Sequence, residues 1–143
     1  MTEILMQFDV AASQRAAWDA LTTHEGITSW WSTRAEVPTG AGAVLKLSFP
    51  DAPITWDLRV DEASGPQRLR WHCVGGPPQW VGTDIAFALS PAADGDGTTV
   101  HFDHVGWRET DQMFRIVTFG WGQVLARLKA FLDSGKPVPY FDF

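Results

Sequence analysis

The sequence predicts an α+β domain in which a curved antiparallel sheet wraps around a long C-terminal helix, and three observations predict it. Residues 111–134 hold a 3.6-residue apolar period without interruption. Residues 32–107 show no helical period and instead carry alternating runs separated by Gly, Pro, Asp and Ser clusters, the mark of an antiparallel meander. Ahead of the meander stand one alternating run and two short helical patterns, giving the order β-α-α-β6-α over residues 1–143 as one domain.

Glu3 to Val10 is the first strand, with Ile4, Met6, Phe8 and Val10 on one side and Leu5, Gln7 and Asp9 on the other. Ser13 caps a short helix reaching about Thr22, in which Ala17, Trp18 and Leu21 share a face. Thr23 or His24 opens a second short helix that ends at Trp30 and Trp31. Adjacent helical residues point about 100° apart, so one of this pair is expected to pack inward. The other is expected to line a pocket mouth or an interface, or to pack edge-on against the following strand.

The meander begins with a short piece near Arg34 to Val37 and the turn Pro38 to Gly42. Val44 to Phe49 places Leu45, Leu47 and Phe49 on one face. After the turn Pro50 to Pro53, Ile54, Trp56, Leu58 and Val60 alternate with Thr55, Asp57, Arg59 and Asp61, and Ser64-Gly-Pro turns the chain again. Leu69, Trp71 and Cys73 alternate with Arg68, Arg70 and His72. Beyond the loop Gly75-Gly-Pro-Pro, Val81, Thr83, Ile85, Phe87 and Leu89 alternate with polar and small residues. Pro91 to Gly97 is a hairpin end, and Thr98 to Trp107 is the last strand, with Val100, Phe102 and His104 inward.

On the closing helix, Met113, Phe114, Val117, Trp121, Val124, Leu125, Leu128, Phe131 and Leu132 fall in one sector, while Arg115, Gln123, Lys129 and Asp133 fall outside it. Asp111 supplies the N-cap, and Gly135 with Pro137 ends the helix. Every middle strand has one apolar face, and only this helix is long enough to cover them, so the sheet must curl around it. Gly120 and Gly122 each cost about 1 kcal/mol relative to alanine inside a helix, which implies a close contact or a bend that widens a cavity. Phe119, Ala126 and Ala130 make a thin second stripe on the solvent side. The terminal aromatics Tyr140, Phe141 and Phe143 either fold back over that stripe or join it in a homodimer interface.

Composition excludes several classes. The lone cysteine, Cys73, rules out an internal disulfide framework, and no basic leader with an apolar core opens the chain, so a cytoplasmic protein is expected. No apolar run approaches the roughly 18 residues that span a bilayer. The net charge of −6, with scattered basic residues, argues against nucleic acid. No cofactor motif is evident. The four histidines show no metal-ligand spacing with acidic or cysteine partners, so no metal is expected. Asp57, Asp84 and Asp103 are placed on outward faces, leaving no inward carboxylate pair for acid–base work. Eight tryptophans are the unusual feature, because a core of such wide rings often surrounds a cavity.

The chain resembles the START-like, SRPBCC superfamily, also described as Bet v 1-like or helix-grip, and within it the branch related to the activator of the Hsp90 ATPase. The resemblance rests on Asp9-Val-Ala-Ala-Ser with Ala17-Trp-Asp-Ala-Leu-Thr, on His24-Glu-Gly-Ile-Thr-Ser-Trp-Trp, and on Val100-His-Phe-Asp-His-Val-Gly-Trp. Gly120-Trp with Leu125, Leu128 and Leu132, then Ser134-Gly-Lys, complete it. It implies an antiparallel sheet gripping the last helix with a hydrophobic ligand cavity between them. It does not imply one function, since relatives include lipid and hormone binders, polyketide cyclases, ring-hydroxylase subunits and chaperone regulators.

The expected work is binding of a small hydrophobic, aromatic or lipid-like molecule under the last helix. Trp31, Trp56, Trp71, Phe87, Phe102, His104, Val117 and Trp121 are the candidate lining, and the same rings could instead simply fill the core. His104 is the one titratable group sent inward; as a neutral imidazole it could orient a ligand hydroxyl or carbonyl. The loop from Gly75 to Gln79 is a candidate gate. Cys73 belongs to the core, with its pKa raised. Two other classes stand beside this one: a cyclase or aromatase, which needs a second inward polar group, and a chaperone or stress-response interaction module, which needs an exposed patch. No catalytic residue is assigned.

Overall fold

A computed structural model describes residues 2–143. One seven-stranded antiparallel sheet runs in the order β1-β7-β6-β5-β4-β3-β2. Its strands are β1 (Thr2–Val10), β2 (Ala35–Glu36), β3 (Val44–Leu47), β4 (Trp56–Ser64), β5 (Arg68–Gly75), β6 (Asp84–Pro91) and β7 (Thr98–Trp107). Helices α1 (Gln14–Thr22) and α2 (His24–Trp30) carry the chain from one sheet edge to the other, and α3 (Gln112–Ser134) lies against the curved sheet's inner face. The expected α+β, helix-grip arrangement is the one observed.

Local chemistry sets the boundaries. Ser13, Thr23 and Asp111 each cap a helix by accepting a hydrogen bond from a main-chain N–H three residues on. Gly135, at φ 77°, closes α3 in the left-handed conformation. Across the sheet the inward residues fall in register: Ile4 opposite His104, His104 opposite Ile85, Ile85 opposite Trp71, and Trp71 opposite Val60.

Four strand boundaries differ from those the alternation predicts. The piece near Arg34 shrinks to Ala35–Glu36, and β3 stops at Leu47, leaving Phe49 beyond the strand. β4 starts at Trp56, so Ile54 is exposed. β6 starts at Asp84 rather than Val81. The backbone of Trp80 and Val81 folds back onto Pro77, and Gly82 takes φ 92°, so residues 77–82 form a turn whose alternation is accidental. Val81 faces solvent there, while Trp80 goes inside.

Trp30 and Trp31 are both buried, although adjacent residues of a regular helix point about 100° apart. The helix ends at Trp30, and Trp31, at φ −105° and ψ −80°, leaves helical geometry and can turn its ring parallel to its neighbour's. The centroids lie 5.5 Å apart at 14°. The Trp30 indole donates to the Ala20 carbonyl at 2.8 Å, which fixes α2 against α1.

That crossing is tight enough that a Cβ on Gly26 would overlap the Asp19 and Ala20 backbone. Gly26→Ala is therefore expected to destabilise the fold by about 1–3 kcal/mol through overpacking, although alanine is the better helix former. Urea unfolding measures it, and an unchanged midpoint would show that the two helices are not in close contact.

Candidate functional site

A cavity of about 250 Å³ lies between the sheet and the first half of α3, and it opens to solvent beside Ile116. Trp31 lines it from the end of α2, Phe49 from beyond β3, Trp56 from the start of β4, and Trp80 from the turn before β6. Helix α3 contributes Met113, Ile116, Val117, Gly120, Trp121 and Val124, and Phe141 enters from the C-terminal tail. No lining side chain is charged, so the wall favours a neutral occupant.

Of the eight residues the sequence nominates, Trp31, Trp56, Val117 and Trp121 line this cavity. Trp71, Phe87, Phe102 and His104 do not. They form the layer behind the wall, where Trp71 stacks on Trp31 at 6.0 Å and 17°, Phe87 packs edge-on to Trp71 at 5.5 Å, and Phe102 lies 4.6 Å from Trp121. Parity finds the inner face of a sheet but cannot say which inward rings border empty space. Phe49, Trp80, Met113, Ile116, Gly120, Val124 and Phe141 also line the cavity without having been nominated; for Trp80 the only signal was a tryptophan next to a Gly-Pro loop.

His104 sits in that second layer, fully buried, and both ring nitrogens are occupied. The Trp121 indole can only donate, and it reaches Nδ1 at 3.0 Å, so Nδ1 is the acceptor and Nε2 carries the proton. Nε2 faces the Thr83 hydroxyl at 2.8 Å, and that hydroxyl donates to the Trp80 carbonyl at 2.6 Å. The chain Trp121 to His104 to Thr83 to Trp80 thus ties α3 to β7 and to the turn before β6. It leaves His104 no hydrogen-bonding capacity for a ligand, so the expected orienting role is corrected to a structural one. Burial pushes its pKa down to about 3. The indole N–H groups of Trp80 and Trp107 are buried without a conventional acceptor, and both rings sit edge-to-face with aromatic neighbours.

The remaining features fall away from the cavity. Gly120 and Gly122 make no close contact: a Cβ on either would meet nothing within 4 Å, and at Gly120 the missing side chain is cavity space. The tail does not cover the outward stripe of α3. Val138, Tyr140 and Phe141 donate their N–H groups to the carbonyls of Ser29, Trp30 and Trp31, leaving Phe119 70% exposed. Cys73 is buried, and desolvation raises its pKa to about 11.

On the outer sheet face, Asp61, His72 and Asp84 come within 4.8 Å of one another, a triplet that sequence spacing could not reveal because it spans three strands. Both carboxylates already have basic partners. Arg59 binds Asp61 through two nitrogens, which holds that carboxyl below its usual range, and His72 bonds Asp84 at 2.8 Å with Arg70 nearby.

Over residues 11–133 the chain matches the profile of the family described as activator of Hsp90 ATPase homolog 1-like protein. Among solved structures it is similar to the Aha1 dimer from Colwellia psychrerythraea, at 28% identity over 95% of this chain and 99% of that one, with a TM-score of 0.85. It is also similar to DynU16, a protein of the dynemicin biosynthetic locus, at 24% identity and TM-score 0.78; the match covers 99% of this chain and 51% of that protein's length. CalU16 from Micromonospora echinospora is similar at 22% identity over 95% of this chain and 76% of that one, TM-score 0.69. The last two likenesses are of fold alone. No curated protein matches the chain.

The buried imidazole carries a pH dependence whose sign is fixed. Below pH 6.5 the unfolded chain binds a proton at His104 that the folded chain refuses until about pH 3. Stability from this group is fully present above 6.5 and is lost as pH falls, at up to about 1.4 kcal/mol per pH unit, or about 2 kcal/mol between pH 8 and 5. Denaturant unfolding of wild type and His104→Gln at the two pH values is expected to show that loss in wild type and its absence in the variant. Parallel losses would assign the effect to other groups.

Proposed function

The chain belongs to the activator of Hsp90 ATPase homolog 1-like family, and from that premise we propose that it binds a small, neutral hydrophobic molecule, aromatic or lipid-like, in the cavity beneath α3. The observation that carries the reading is the wall. Its tryptophan and phenylalanine faces, with aliphatic side chains from α3, surround about 250 Å³ that the protein's own groups leave empty. An apolar cavity of about 150 Å³ already suffices for benzene. With His104 saturated by Trp121 and Thr83 and no ionisable side chain on the wall, enclosure is favoured over acid–base chemistry.

Naphthalene is a suitable probe, read by quenching of tryptophan fluorescence or by calorimetry. Wild type is expected to bind it, and Gly120→Leu, which fills the cavity from α3, is expected to weaken binding at least tenfold. Because leucine is the better helix former by about 0.8 kcal/mol, the variant should remain folded. Gly122→Leu, on the exposed side of the helix, controls for the helix itself. Equal binding by all three proteins, or by none, defeats the reading.

A second copy of the chain is the partner that the outward face of α3 favours. Ile116 and Phe119, 58% and 70% exposed, continue into the exposed Ala126 and Ala130 along the helix. From Gln112 to Leu132 the helix carries no acidic residue, in a chain of net charge −6, so this face brings two copies together without their acidic surfaces. The Colwellia relative is described as a dimer. Light scattering is expected to give a dimer for wild type and a monomer for Phe119→Glu. A monomeric wild type, or a dimer in both, removes the proposal.

A further inference from the structure

A second cavity of about 250 Å³ lies toward the other end of the inner face, lined by Trp18, Leu21, Leu45, Val60, Leu69 and Trp71 among others; it opens beside the exposed loop Pro38 to Gly40 and shares no lining residue with the first. The two are successive stretches of one inner face. Along β3 and the residues after it, Phe49 lines the first cavity, Leu47 lines neither, and Leu45 lines the second. Along β4 the sequence repeats, with Trp56, Leu58 and Val60 in the same three roles. Four residues of strand span about 13 Å.

The level between the cavities is occupied by a stack of indoles. Trp31 borders the first cavity and Trp71 the second, and their rings lie 6.0 Å apart at 17°, with Trp30, fully buried, stacked on Trp31 at 5.5 Å. Leu47 and Leu58, also fully buried, close the same level from the sheet side.

We infer that the Trp31–Trp71 stack is the size-determining element of the binding site, a partition that divides one elongated space and restricts the ligand to a compact molecule rather than an extended chain or rod. The inference rests on the binding role proposed above and adds the ligand's shape. Two rigid indoles make an effective barrier, because a flat fused ring cannot change its shape as an unbranched methionine does through its three rotatable bonds. Thinning the stack joins the two volumes and changes what fits.

The test compares two neutral probes, naphthalene as the compact one and diphenylhexatriene as the rod, on wild type, Trp31→Leu and Trp71→Phe. Trp71→Phe keeps an aromatic plane and most of the packing, so it guards against a Trp31→Leu protein that does not fold. Wild type is expected to bind naphthalene and give no diphenylhexatriene emission, whereas each folded variant is expected to raise that emission at least tenfold. If wild type takes up the rod as readily as the variants, or if folded variants bind naphthalene yet still exclude the rod, the partition is refuted. If naphthalene binds none of the three, the failure lies with the underlying binding role, and the partition falls with it.

Discussion

The hydrogen bond from the Trp121 indole to Nδ1 of His104, 3.0 Å long and wholly buried, sets the geometry on which the rest of the core depends. Hydrophobic burial alone would hold α3 against the sheet, but it is non-directional and would let the helix slide or rotate. A buried donor and acceptor favour the one geometry in which they meet, because leaving either unpaired costs about 1–3 kcal/mol. With Thr83 and the Trp80 carbonyl continuing the chain, the helix is keyed to β7 and to the turn before β6 at one point along its length. A histidine suits that position because it is flat. Its ring lies 4.7 Å from both Trp80 and Trp107, and it presents an acceptor and a donor in its own plane.

Once α3 is keyed, the tryptophans determine where the core is full and where it is not. Rigid planar rings pack well against one another in stacked or edge-on pairs, but a layer of them has few small, adaptable side chains to occupy the spaces at its margins. Those spaces persist at the two ends of the inner face, beside Trp56 and Gly120 at one end and beside Trp18 and Val60 at the other. The middle, where Trp30, Trp31 and Trp71 stack, is closed. Phe141 narrows the first space further, because the tail's main chain is bonded along residues 29–33 and delivers that ring to the wall.

Much of this was legible in the sequence, and what escaped did so for identifiable reasons. Periodicity and caps located α1, α2, α3 and the long strands, since an apolar face and a local hydrogen bond are both written in nearby residues. The turn at residues 77–82 was misread because Val81 and Thr83 continue an alternation that Gly82 breaks only through its backbone angle. Trp31 illustrates a second limit: its burial depends on helix α2 ending one residue earlier, which a helical wheel assumes away. The site was half legible. Trp56 and Phe87 carry the same inward parity, and only the three-dimensional packing makes the first a cavity wall and the second a filled core position.

The two faces of α3 explain why residue type misleads here in opposite directions. Gly120, the residue with no side chain, shapes the cavity by what it omits, while Phe119 beside it, with a large apolar ring, shapes nothing inside because it points to solvent. Ile116 belongs to both faces, since it borders the cavity and remains 58% exposed. A charged molecule entering past it would lose its hydration and find no counter-charge or free polar side chain on the wall, a penalty of several kcal/mol that ring contacts do not repay. In the proposed binding role, the wall therefore selects by refusing charge as much as by offering aromatic surface.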